Sequence, residues 1–349
     1  MKKKIVEMDF VRTFLSLGII SFHYANHIKS KNKYFFKSRG TTYGTLFVNI
    51  FWIISGALHY YNNSFIKSLK HFYFKKFKAI APSFYILYIY RYFKNVFKTG
   101  KFFFSGLHPF YLIYSILLID GYMLFFGIKT IYLLIGEWFL GALILIYIIY
   151  PILLYLFNNF FFQTLLINIF FLSFFFHGNY FKLQEKNLII CLNLFFLGMI
   201  IIKYINLNNI LTLIISLFIM IIYYYVNISI QKRFLIEVFY SPFFFFILFW
   251  IGKMIMKIKI LNLIISKISF ISYQIFLLQH ITILRILYYF PEATTDIKYF
   301  CILFLCFIII IILSYILNLI TRIFIESKIF VDFENWILKN DLIIENKIK

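Results

Sequence analysis

Apolar residues in this chain run together instead of alternating with polar ones. The runs lie near 5–27, 44–63, 80–93, 138–157, 160–176, 188–203, 209–226, 235–252, 268–289 and 298–323, and short polar clusters separate them. A helix of about 20 apolar residues crosses the ~30 Å hydrocarbon layer of a bilayer. The pattern therefore predicts an all-α, polytopic transmembrane bundle of about ten spanning helices. Residues 1–323 form the transmembrane domain, and 324–349 form a short cytoplasmic tail of mixed charge, after which no extracytoplasmic domain is expected. The region 94–137 is interrupted by Gly100, Gly106, Pro109, Asp120, Gly121 and Gly127, and reads as partly re-entrant or interfacial.

Composition agrees: 63% of residues are hydrophobic and 14% charged, with a mean hydropathy of +0.88, too little polar surface for a water-soluble globule of this size. The opening Met-Lys-Lys-Lys leads into an apolar run longer than a signal-peptide core, with no small-residue cleavage site after it, so the run reads as a retained first span. A net charge of +22 does not point to nucleic acid, because the lysines lie in short clusters between spans. Anionic lipid headgroups are the partners such clusters suit. With the N-terminus cytoplasmic, Lys67, Lys70, Lys75, Lys76 and Lys78 fall inside, and so does the tail; the basic residues of the first outer loop leave the positive-inside rule only a small margin for this N-in, C-in orientation. Cys191, Cys301 and Cys306 sit in apolar runs without metal-site spacing and read as packing residues; no metal site is expected.

The first span carries what composition does not explain: Arg12 near one end and His23 near the other. A charge inside the hydrocarbon costs roughly 2.5–3.5 kcal/mol on insertion scales, so such residues mark function by default. Eleven residues of helix separate the two by about 20° in azimuth and about 16 Å along the axis. They share a stripe with Ser16 and Ile19, which is expected to face the interior. Asp9 stands one turn before Arg12 and can pair with it. The bland reading makes that pair an inner-leaflet anchor and His23 an interhelical hydrogen-bond partner.

Further landmarks follow in order. They are Asp9-Phe-Val-Arg12, Phe51-Trp-Ile-Ile-Ser55-Gly56, the basic run Lys75-Lys76-Phe77-Lys78 ending in Ile80-Ala-Pro82, Glu137-Trp138-Phe-Leu140 with Tyr147 and Pro151, and Ser272-Tyr273 leading to Gln279-His280. Together with the Arg-x10-His spacing, this order resembles the acyltransferase family 3 proteins, multispanning bacterial transacylases that modify surface polysaccharides and related acceptors. The resemblance covers residues 9 to 280. It departs from the family at Lys76, where Arg is usual, at Ala79, where a second Arg or Lys is usual, and in the acid at 137, which precedes the tryptophan instead of following the Trp-x-Leu.

The resemblance implies a membrane O-acyltransferase of the bacterial cytoplasmic membrane, with acyl-CoA, acetyl-CoA foremost, as cytoplasmic donor and a surface glycan or lipid-linked sugar as acceptor. No permanently bound cofactor is implied. His23 is the natural general base, since an imidazole ordinarily titrates near working pH; it can equally carry an acyl intermediate. Glu137 either orients His23 as a carboxylate does in a triad or anchors the interface beside Trp138. Arg12, Lys75, Lys76 and Lys78 are candidates for the CoA phosphates, although lipid alone would place such lysines at an inner face. Ser55-Gly56 either lets helices pack closely or lines an acyl tunnel. Asp9, Trp138, Tyr273, Gln279 and His280 are candidate substrate or tunnel residues, His280 with a structural role as the alternative. His27, His59, His71, His108 and His177 fall near span ends or in loops and read as interfacial. The rival class is a transporter or flippase of a glycan precursor or small solute, in which Arg12 and His23 form a relay; the lack of an internal repeat counts against it. A structural membrane subunit explains neither residue.

Overall fold

The computed structural model describes residues 4–28, 37–38, 41–100, 108–131, 133–136, 138–177, 186–225, 233–291 and 295–347. The chain order is α1 (Val6–His27), α2 (Tyr43–Asn62), α3 (Leu69–Thr99), α4 (Leu112–Ile116), α5 (Asp120–Met123), α6 (Trp138–Asn159), α7 (Phe161–His177), α8 (Leu188–Tyr204), α9 (Ile210–Tyr225), α10 (Arg233–Ile255), α11 (Lys259–Phe270), α12 (Ser272–Tyr289), α13 (Asp296–Glu326) and α14 (Lys328–Lys347). A two-residue antiparallel ladder pairs Lys37–Ser38 with Thr41–Thr42. Apart from it the described residues are helical or connecting, as the run pattern predicts.

Nearly every apolar run became a helix, but length and apolarity set the spans apart. Among the described residues three helices are long and apolar enough to cross a membrane unaided: α6, α10 over Glu237–Ile255, and α13. The pair α11 and α12 makes a fourth if it counts as one span. The expected run 268–289 is filled nearly throughout by α12, and α11 precedes it at a bend of 69°. Close to the bend, α11 is hydrogen-bonded to α1. Ser269 and Ser266 donate to the two Asp9 carboxylate oxygens at 2.9 and 3.3 Å, and Thr13 Oγ1 donates to the Ile265 carbonyl at 3.1 Å. Side chains inserted at a Ser-rich turn are an ordinary source of helix breaks. α12 then departs in a direction of its own.

The run expected at 80–93 extends both ways into α3. Ser68 caps its start by accepting from the His71 N–H, and Gly100 ends it in the left-handed region at φ 68°. Among the described residues of 101–137 the helical pieces are short, α4 and α5 with two 3-10 turns.

Two glycines let the backbones of α2 and α8 touch. A Cβ built on Gly56 of α2 would stand 1.8 Å from the Phe195 carbonyl oxygen of α8, and one on Gly198 would stand 2.0 Å from the Ile53 oxygen. Small residues that let backbones touch are how helices associate where lipid offers no hydrophobic drive. Ser55-Gly56 thus does one job with each residue: Gly56 packs, and Ser55 faces the interior.

α1 and α2 are antiparallel, since Gly18 meets Phe47 and Gly44 meets Phe22. His59 therefore lies back at the end where α1 begins. Phe72, early in α3, contacts it there. At that end α14 seats Phe330 against Phe74 and pairs Glu334 with Lys78 at 2.5 Å. Three apolar cores fill the bundle: one centred on α1, α2, α6, α8 and α10, one on α1, α12 and α13, and one on α3, α6 and α12. Where they meet, a space remains.

Candidate active site

That space is a cavity of about 370 Å³ between α1, α2, α3, α6, α11 and α12. Arg12, Ser16, Ile19 and His23 line it from α1, the stripe that helical spacing selects. Facing them are Phe51 and Ser55 from α2, Ile80 from α3, and Trp138, Phe139 and Tyr147 from α6. The bend between α11 and α12 contributes Ser269, Ser272, Tyr273 and Gln279. The walls are mainly aromatic and aliphatic with a few polar groups, the usual make-up of a small-molecule site.

Arg12 makes no ion pair among the described residues. The expected partner, Asp9, is taken: besides the two serines it binds Lys4 at 2.5 Å and does not line the cavity. This corrects the Asp9–Arg12 pairing. The carboxylate is bound to the α11 serines and Lys4, and Arg12 lines the cavity. Asp9 is therefore a clamp between α1 and α11.

His23 is buried, at 8% exposure, and its ring stands 4.1 Å, centroid to centroid, from that of His280. His280 does not line the cavity, but lies directly behind His23. Tyr273 is held in place by its hydroxyl, which donates to the Ile80 carbonyl at 3.0 Å, and Gln274 of the next position donates to Ser83 Oγ at 3.1 Å. These bonds fix the start of α12 against α3. Glu137 lies outside the described residues.

The three candidate lysines do not converge. Lys75 is exposed, Lys78 is paired with Glu334, and Lys76 turns inward to within 3.3 Å of His59 Nδ1, over the rings of Phe72 and Tyr147. His59 corrects its expected interfacial placement: it is 5% exposed, wedged among Phe72, Tyr147, Tyr150 and Phe195. Sequence position near a span end hid this, because nothing in the sequence tells which side of α2 faces α6. Tyr147 joins the two groups, lining the cavity on one side and covering Lys76 on the other.

One neighbour was passed over in the sequence. His27, at the end of α1, places its Nε2 3.5 Å from His280 Nδ1, the residue behind His23. The signal was the four-residue interval from His23 to His27, which puts both imidazoles on one helix face.

A family model described as an acyltransferase domain matches residues 5–319, nine-tenths of the chain and every element that lines the cavity. The chain belongs to acyltransferase family 3. It is accordingly a membrane acyltransferase, with an all-helical apolar body. No curated protein and no solved structure matches it. Among the described residues, no group of three or more His, Cys, Asp or Glu is arranged to hold a metal ion.

Proposed function

We propose that this acyltransferase moves an acyl group, acetyl foremost, from cytoplasmic acyl-CoA to a hydroxyl of a surface polysaccharide or lipid-linked glycan, with His23 as general base. One observation carries the reading: Arg12 and His23, a cation and a base at opposite ends of one helical stripe, open into the same cavity. An anionic donor approaching from the end where α1 begins meets Arg12 first. An acceptor hydroxyl approaching from the other end meets His23. The thioester carbonyl between them is attacked by the hydroxyl oxygen as His23 takes its proton. The C–S bond then breaks and the CoA thiolate leaves with the electron pair. Aromatic walls at Phe51, Trp138, Phe139 and Tyr273 suit the apolar face of a sugar ring and keep competing water out. Acyl-CoA is a substrate in this scheme, and nothing stays bound between turnovers. Glu137, which precedes Trp138 in the sequence, is assigned to orient His23.

In the membrane this reading puts the chain in the bacterial cytoplasmic membrane as a bundle of about ten spans, with both ends of the chain on the cytoplasmic side. The shared position of α14 and the start of α1 supports that arrangement. Lys75, Lys76 and Lys78 then lie at the donor mouth. Replacing the three with Gln is expected to raise the apparent KM for acetyl-CoA while kcat changes less, as when uniform binding is lost. Initial rates against donor concentration check this, and an unchanged KM in a folded variant returns the lysines to lipid and to Glu334. The function itself is tested by the O-acetyl content of surface glycan in a deletion strain, expected to fall below the parent's and to return on complementation. Equal content in both strains overturns the glycan acceptor.

A further inference from the structure

His27 is the last residue of α1 and is half-buried. It has no part in the cavity wall, yet its Nε2 is 3.5 Å from Nδ1 of His280. The His280 ring in turn lies 4.1 Å from the ring of His23, centroid to centroid. Three imidazoles therefore stand in a row from the buried His23 to the end of α1. The row is assembled from two helices. Four residues of α1 bring His23 and His27 onto one face, and α12, redirected by its bend from α11, slides His280 between them. Exposure increases along the row, from 8% at His23 to half-buried at His280 and His27. The neighbouring Tyr24 hydroxyl donates its proton to the Tyr299 carbonyl at 3.1 Å.

We propose that His280 and His27 relay the proton that His23 removes from the acceptor, delivering it to water at the end of the bundle where α1 finishes. This rests on the acyl-transfer reading above. The O–H bond of the acceptor breaks as its proton passes to a His23 ring nitrogen, then to His280, then to His27, and on to water. Only N–H and O–H bonds are made and broken along the row. The CoA thiolate, which leaves toward the other end, takes a proton from water there. A neutral imidazole donates at one ring nitrogen and accepts at the other, and so can pass a proton along without accumulating charge. His27 is thus a positioning and relay residue that acts through His280 and does not touch substrate.

The test uses the full chain in native membranes, with acetyl-labelled acetyl-CoA as probe and label retained in the glycan fraction as readout. His27→Ala is expected to lower kcat about ten-fold with little change in KM, a smaller loss than removal of the base itself. Millimolar imidazole, a small base able to occupy the vacated space, is expected to restore most of the rate. Pyrazole has the same shape but is a far weaker base, and it is expected not to. His27→Phe keeps the ring and the packing, fills the space, and is expected to show the loss without rescue. Undiminished kcat in His27→Phe, or equal rescue by pyrazole and imidazole, overturns the relay and leaves His27 a packing residue. Absence of label transfer by the parent chain overturns the acyl-transfer reading and the relay with it, whereas an active parent with fully active His27 variants overturns the relay alone.

Discussion

His23→Ala is expected to abolish acyl transfer while the protein still inserts and accumulates. A positioned acid–base group contributes roughly 10²–10⁴-fold in rate, and His23 is the imidazole that lines the cavity. The loss of one ring removes few of the apolar contacts that hold α1, because Val11, Leu15, Ile20 and Tyr24 on its other faces are fully buried. Label transfer from acetyl-CoA in membranes with matched protein levels measures this, and near-parental activity rules out the general-base assignment. Arg12→Lys makes the companion measurement. It keeps the charge and loses the planar fork that binds phosphate bidentately, so a clear loss assigns Arg12 to the donor, and full activity leaves it as a source of charge only.

The second large effect is expected in folding. Gly56→Ala and Gly198→Ala each drive a methyl group into backbone carbonyl oxygen of the facing helix, at 1.8 and 2.0 Å. Backbone cannot rotate aside as a side chain can, so α2 and α8 must separate. Overpacking costs roughly 1–3 kcal/mol where side chains give way, and occasionally more; here the upper end or beyond is expected. With the exposed Cys301 replaced by Ser in parent and variants alike, the buried Cys191 of α8 and Cys306 of α13 report the event through a thiol-reactive dye during a temperature ramp. The variants are expected to expose Cys191 at markedly lower temperature than the parent, or to fail to accumulate. An unchanged unfolding profile means that the contact at Gly56 and Gly198 is looser than described.

Much of the architecture was legible from run length alone, because in hydrocarbon a backbone must satisfy its own hydrogen bonds and a helix is the local way to do so. That rule needs only local sequence, and it marked nearly every long helix. It also marked the stripe of Arg12, Ser16, Ile19 and His23, since helical geometry fixes which residues of one helix share a face. The ordered landmarks placed Ser55, Trp138, Tyr273 and Gln279 in one family pattern, and all four line the cavity with the stripe.

Partner choice was not legible, and the errors fall there. Asp9 stands one turn from Arg12, yet it binds Ser266 and Ser269, more than 250 residues away. The bend between α11 and α12 lies beside that clamp, and residues 259–289 by themselves do not name the partner on α1. The same holds for His59, drawn into an aromatic pocket with Lys76, and for His27, set against His280. The sequence by itself determined most of the helical segments, which face of the first helix lines the cavity, and the family. The tertiary structure decided which charges are paired, where a helix breaks and which imidazoles meet, because those depend on contacts between residues far apart in the chain, and local periodicity holds no information about them.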